Sequence, residues 1–267
     1  MGSNTTSRVL TVANQKGGVG KTTTAINLAT ALAAVGKKVL IVDLDPQGNA
    51  STGLGIDRDE RTISTADVIR GDKGLADAFV ATAVPRLFLA PSTLDLLGLE
   101  MEIAGSSDRA YRMKNAIEQC NPPGGPFDYI MIDCPPSLNL LTVNAMAAAN
   151  ALLVPLQCEF FALEGLSQLL ETMEQVKASV NPDLELHGIV LTMYDSRNNL
   201  AAQVESDVRE YLGDKVYETV IPRNVRLSEA PSYGKPAILY DLKCSGSQAY
   251  LKLASEIIRK EKQLSAA

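Results

Sequence analysis

The chain has 267 residues, 46% hydrophobic and 21% charged, with a net charge of −6 and a pI near 5.0. That length buries a full core without staples, and the charge excludes a surface coated in basic residues, though not a local basic face that attracts phosphates. The four cysteines, Cys120, Cys134, Cys158 and Cys244, form no C-x-x-C pair, so reduced structural thiols are expected in place of a zinc site or a redox dithiol. Met1–Ser7 is small and polar and is predicted to be a flexible lead, without the charged-then-apolar design of a secretion signal. Its match to the loose myristoylation pattern M-G-x-x-x-[ST], ending at Thr6, is of a kind that common residues produce by chance.

Apolar runs then alternate with helical stretches. Arg8–Asn14, rich in β-branched residues, is predicted as a strand, and the alanine-rich Lys21–Val35 as a helix stopped by Gly36. Val39–Asp43, Leu87–Ala90, Tyr129–Asp133, Ala151–Leu156 and Ile189–Met193 follow as strands. Their near-continuous apolar character suits strands buried on both faces of a parallel sheet. Leu163–Val180, Leu200–Leu212 and Ser247–Glu261 are predicted as long helices between or after them. Asn121–Pro126 (NPPGGP) is a tight loop before a strand, and no break in composition marks a second domain. The expected fold is α/β: one doubly wound, mostly parallel sheet flanked by helices, over residues 8–263, with a short tail at 264–267.

The strongest chemical signal is KGGVGKT, Lys16–Thr22, followed by Thr23, between a predicted strand and a predicted helix. Gly17, Gly18 and Gly20, with Val19 between them, let backbone N–H groups turn inward around phosphate oxygens. The helix beginning here directs its positive end at the same anion. In such a loop Lys21 reaches the β- and γ-phosphates of ATP and the Thr22 hydroxyl ligates Mg²⁺. The common phosphate loop has glycine where this chain has Gln15, and here a second lysine, Lys16, precedes the glycines.

Two strand ends carry carboxylates. Asp43 and Asp45 stand in VDLDPQGN, before a Gly-, Asn-, Ser- and Thr-rich stretch, Pro46–Gly55, predicted to be a mobile loop. A carboxylate there either orients an attacking water or caps the next turn. Asp133 ends YIMID and precedes CPPS, the arrangement that holds Mg²⁺ in proteins with a phosphate loop. Pro135, Pro136 and Ser137 are expected to make the neighbouring segment rigid at its start.

KGGVGKT resembles the deviant Walker A class, which includes ParA/Soj, MinD and nitrogenase iron proteins. Pro155–Gly165 (PLQCEFFALEG) and Ile221–Pro236 (IPRNVRLSEAPSYGKP) resemble ParA/Soj in particular, and the likeness runs from about Arg8 to Arg259. The resemblance implies a homodimeric, cytoplasmic, nucleoid-associated ATPase that binds double-stranded DNA without sequence preference and answers to a ParB-like activator. It implies that Lys16 reaches across the dimer to the partner's nucleotide, that Asp45 orients water, and that Glu159 meets the partner's nucleotide. Pro222 and Asn224 are implied near the adenine. The candidate DNA contacts are Arg197, Arg223, Arg226, Lys243, Lys252 and Arg259; any one of them is equally readable as solvated surface.

Three rivals share related loops. A MinD-like membrane protein would end in an amphipathic helix. EIIRKEKQLSAA instead places Arg259, Lys260, Glu261 and Lys262 in a block, so no membrane partner is expected. A metal-cluster carrier would need a partner for Cys134 at suitable spacing, which is missing. An ATP-dependent small-molecule ligase would need a substrate pocket that no segment announces.

Overall fold

The computed structural model describes residues 7–159 and 162–264. The expected lead up to Thr6, with its Met1–Thr6 pattern, the last three residues of the tail, and Phe160–Phe161 within Pro155–Gly165 lie outside the described residues.

In chain order the elements are β1 (Arg8–Val12), α1 (Lys21–Ala34), β2 (Val39–Asp43), α2 (Asn49–Gly53), α3 (Thr65–Arg70), α4 (Leu75–Ala78), β3 (Val80–Ala81), β4 (Leu87–Ala90), α5 (Leu96–Glu102), α6 (Arg112–Glu118), β5 (Tyr129–Asp133), α7 (Leu140–Ala148), β6 (Ala151–Gln157), α8 (Ala162–Ser179), β7 (Glu185–Thr192), α9 (Asn199–Leu212), α10 (Val225–Glu229), α11 (Ala237–Tyr240) and α12 (Ser245–Leu264). The strands form one sheet in the order β3-β4-β2-β5-β1-β6-β7. Every pairing is parallel except β3 with β4, which is antiparallel.

The sheet separates two cores because strand side chains alternate. Leu40, Val42, Ile130, Ile132, Leu152 and Val154 face one core, which α3–α9 cover. Val39, Ile41, Met131, Leu153 and Val190 face the other, which α1, α10, α11 and α12 cover. Each fully buried leucine in these layers contributes roughly 1.5–3 kcal/mol relative to exposure. Helix α1 is buried nearly all round, since it lies between the sheet and α12.

Two local devices close the end of the sheet away from the phosphate loop. Gly124 and Gly125 adopt φ of 77° and 86°, so the NPPGGP loop curls over Lys38. The Lys38 ammonium donates to the carbonyls of Pro123 and Gly125 and lies 4.8 Å from the Phe127 ring centre. The one histidine of the sequence, His187, is buried between the Tyr217 hydroxyl and the Glu261 carboxylate. Glu261 also accepts from Arg8 Nε at 2.8 Å, so β1, β7 and α12 meet at one carboxylate. Burial alone would lift the Glu261 carboxyl. The hydrogen bonds from His187 and Arg8 outweigh it and hold the group below its ordinary value.

Two expectations need correction. Pro46–Gly55 is not an open loop: Asn49–Gly53 is helical, with Ala50 and Ser51 buried. Gly48, at φ 64°, turns the chain into this helix, and the Asp43 carboxylate accepts the Ser51 N–H at 2.9 Å and its hydroxyl at 2.7 Å. Polar composition hid that cap. Strand β1 also stops at Val12, and Asn14 instead turns its side chain inward.

Candidate functional site

The site lies at the carboxyl ends of β1, β2, β5 and β7, where an open α/β sheet leaves a crevice. Gly18 and Gly20 have φ of 76° and 88°, the left-handed region that favours glycine. Gly20 caps α1 with no side chain bonded to the first turn, so that end of the helix is left open to an anion.

The loop is held from outside its own motif. Asn14 Oδ1 accepts the Lys16 N–H at 3.0 Å, while Asn14 Nδ2 donates to the Pro155 carbonyl at 2.8 Å. The Thr192 hydroxyl, at the end of β7, donates to the Val19 carbonyl at 2.8 Å. Lys21 turns inward: it is buried and Nζ donates to the Lys16 carbonyl at 3.0 Å. Burial lowers its proton affinity, against the opposing charges of Asp133, Cys134 and Asp45. Lys16 turns outward, with its side chain 42% exposed, and pairs with the Glu159 carboxylate of the same chain.

Asp43 and Asp133 are side by side in register on β2 and β5. Both are fully buried. Asp43 is spent internally, since Oδ1 accepts the Asp45 N–H and Oδ2 accepts Ser51. Among the described residues neither Asp133 oxygen has a hydrogen-bond partner of good geometry, although the Thr22 hydroxyl is close enough to act on it. Burial and the neighbouring charges of Asp43 and Asp45 raise its pKa well above the usual range, with Thr22 and Lys21 acting the other way. A buried carboxylate without a donor keeps its proton or takes a cation. With the Thr22 hydroxyl beside it, the donor set is hard oxygen, which suits Mg²⁺. The residues present therefore fit that ion.

Asp45 lies in the wall of a cavity of about 470 Å³, together with Gly17, Gly18, Lys21, Thr22 and Pro136. Its Oδ1 accepts the Gln47 N–H at 2.9 Å, and its carbonyl accepts the Ser92 hydroxyl at 2.6 Å. A second cavity of about 340 Å³ shares Gly20, Thr23 and Met193 with the first, and Pro222 and Asn224 line it. Met193 adopts φ 50°, rare for a side chain of its size, where the backbone leaves β7 between the cavities.

A family model described as an AAA domain matches residues 7–186. The chromosome partitioning protein ParA of Caulobacter vibrioides (strain NA1000 / CB15N) is 62% identical over 255 residues, covering 96% of this chain and 95% of that protein. This chain belongs to the ParA/Soj family. The sporulation initiation inhibitor protein Soj of Bacillus subtilis (strain 168) is 50% identical over 250 residues, covering 94% of this chain and 98% of that one. Among solved structures, one titled cobyrinic acid a,c-diamide synthase from Mycobacterium smegmatis, with bound ATP analog and magnesium, superposes with a TM-score of 0.85. It is 39% identical and covers 96% of each chain.

For this ParA/Soj-family chain the basic candidates fall into groups. Arg197 is 87% exposed and paired to Asp195 at 2.8 Å, with Arg223 close enough to bias the same carboxylate. Arg226 pairs with Glu229 at 2.8 Å and reaches Asp241 at 3.6 Å, two residues before Lys243. Lys252 and Arg259 sit exposed seven residues apart on α12, and Arg259 is 4.0 Å from Glu218. Both ends of the Asn224 side chain are bonded within the chain, accepting the Arg226 N–H and donating to Ser245 at the surface. Thr192 and Met193 escape a reading of sequence because the sheet brings them to the loop from far along the chain, and Asn14, though beside the loop, because its anchor at Pro155 lies on another strand.

One consequence is testable without nucleotide. Asp133→Asn replaces an unpaired buried acid with a neutral amide, so the nucleotide-free protein is expected to melt higher, by about 1–3 kcal/mol of stability. The extra stabilisation by ATP with magnesium, measured in the same melts, is expected to disappear. A variant that melts lower and keeps that stabilisation would contradict the metal role.

Proposed function

We propose that this chain is an ATPase switch: it dimerises with ATP and Mg²⁺, binds DNA without sequence preference, hydrolyses ATP slowly, and segregates a chromosome or plasmid with a ParB-like activator. The observation that carries this reading is the division between the two loop lysines. Lys21 serves the loop's own phosphates from inside. Lys16 stands at the rim with its ammonium outside the loop, free to serve a second site once Glu159 releases it.

The roles follow from the placement. Gly17–Thr23 cradle the triphosphate, and Pro222 and Asn224 wall the cavity for the base. Thr22 and Asp133 would hold Mg²⁺, which when bound supplies positive charge to the phosphate oxygens. Lys16 offsets charge at the partner's transferring phosphoryl group, with Glu159 near the same interface. Asp45 accepts a hydrogen bond from the attacking water. When the γ-phosphate leaves, the contacts made to it are lost and the dimer opens, a nucleotide-gated two-state equilibrium. Clasping two chains doubles the basic surface formed by Arg197, Arg223, Arg226, Lys243, Lys252 and Arg259, which favours the clasped state on DNA. A single domain over residues 8–263, in the cytoplasm and on the nucleoid, is part of this reading.

Two observations weigh on the alternatives. The end of α12 is tied down, with Lys260 donating to the His187 carbonyl and Glu261 bonded to Arg8 and His187, instead of presenting a free amphipathic face. The structure named as a synthase is 39% identical to this chain, whereas the partitioning relative is 62% identical.

The dimer is tested by light scattering in the slow-turnover Asp45→Ala background. ATP with magnesium is expected to double the mass. Adding Lys16→Ala is expected to return it to one chain while ATP affinity stays. A Lys16→Ala chain that still dimerises removes this lysine from the interface.

A further inference from the structure

Arg61 has no part in the mechanism above, yet it is among the few buried charged side chains of the described residues, at 8% exposure. It follows a short 3₁₀ turn, Arg58–Glu60, in a segment that reads in sequence as ordinary charged surface. Burying a guanidinium is costly unless its donors are used. Here they are: Nε and Nη2 both donate to the Ile56 carbonyl, at 3.2 and 2.9 Å. Nη2 also donates to the Thr52 hydroxyl at 2.8 Å, and Nη1 to the Ser92 carbonyl at 3.1 Å. All four of these bonds go to neutral oxygens, so Arg61 acts as a brace more than as an ion-pair partner.

What it braces is the hydrolytic segment. Thr52 is in α2 and lines the phosphate cavity. Ser92, whose carbonyl Arg61 holds, gives its own hydroxyl to the Asp45 carbonyl at 2.6 Å and its N–H to Ser51 Oγ at 3.1 Å. Ser51 in turn donates to Asp43. The guanidinium packs so closely under Gly48 that a Cβ there would collide with Nη1. On the far side, Gly55 is pressed against Gly234, where an added Cβ would stand 2.9 Å from the Gly234 carbonyl oxygen. The segment from Asp45 to Gly55 is thus clamped between Arg61 beneath and the loop after α10 beside it.

We propose that Arg61 is a positioning residue for ATP hydrolysis, whose planar fork ties Thr52, Ile56 and Ser92 together and through Ser92 fixes Asp45 against the phosphate cavity. The proposal rests on the reading of Asp45 given above. Lysine does not substitute, because a single ammonium cannot span three acceptors in a plane. A displacement of Asp45 by an ångström or less misplaces the attacking water but leaves the phosphate loop as it was.

The test compares wild type, Arg61→Ala, Arg61→Lys and Asp45→Ala by kcat, KM, ATP affinity and melting temperature. Both Arg61 variants are expected to lose roughly ten- to a hundredfold in kcat with ATP affinity unchanged. Added guanidinium ion at millimolar concentration is expected to restore part of the Arg61→Ala turnover, and ammonium ion to restore none. If Arg61→Ala does not fold, the kcat and affinity of Arg61→Lys decide the matter alone. Wild-type kcat in the variants that fold overturns the proposal. So does a loss of kcat that tracks lost ATP affinity and melting without guanidinium rescue, which would make Arg61 a residue of the fold only. If Asp45→Ala turns over like wild type, the Asp45 reading fails and takes this one with it. If Asp45→Ala is slow while the Arg61 variants are not, the Arg61 proposal alone fails.

Discussion

Lys21→Ala is expected to abolish useful ATP binding, raising Kd by roughly thirty- to several thousandfold, the equivalent of about 2–5 kcal/mol. The side chain lies inside the loop, where burial already disfavours its charge, and only anions restore the balance. In the nucleotide-free chain Asp133 and Asp45 supply part of that balance, and a triphosphate would supply more. Removing the ammonium takes away the cation facing the phosphates and also leaves the Lys16 carbonyl without its donor. Titration with a fluorescent ATP analogue reads the loss directly. A Kd close to wild type would mean that backbone amides and the open end of α1 carry the affinity by themselves.

Asp45→Ala separates binding from chemistry. Turnover is expected to fall by about 10²–10⁴, the usual worth of a positioned base, with ATP affinity kept. The physical reason is that, among the described residues, the Asp45 side chain accepts one hydrogen bond, from the Gln47 N–H, while its main chain is held independently by Ser92 and Gly48. Losing the carboxylate therefore leaves the cavity wall standing. A phosphate-release assay beside the same binding titration checks both halves. Unchanged turnover would take Asp45 out of the mechanism, and lost affinity would make it a binding residue.

The parts of this fold that were legible in the sequence share one cause. Val39–Asp43, Leu87–Ala90 and Tyr129–Asp133 agree with the structure to the residue because strands covered on both faces need unbroken apolar runs. At the edge that rule lapses. Strand β7 begins at Glu185, four residues before its apolar run, since an edge position tolerates Glu185 and pairs His187 with Tyr217 and Glu261. The two-residue β3 and the short helices between residues 44 and 118 have no periodicity long enough to read.

The site divides in the same way. The phosphate loop is legible because glycine and lysine spacing is itself the chemistry. The Asp43 cap on α2 and the Lys16–Glu159 pair are not, because their partners meet only once the sheet and its loops are assembled. Nothing about Arg61 in sequence distinguishes it from Arg58 three residues earlier, although one is buried and the other exposed.

Nucleotide is expected to gate DNA binding. The most direct test is binding of the purified chain to random-sequence duplex DNA with ATP, with ADP and without nucleotide, each with magnesium and across a salt series. The expected result is tight binding with ATP alone, with log K falling as log salt rises by about 0.9 for each phosphate contacted, and a weaker affinity for Arg197→Glu with its ATPase intact. Equal binding in all three nucleotide states, or none in a protein shown to bind ATP, would contradict the account.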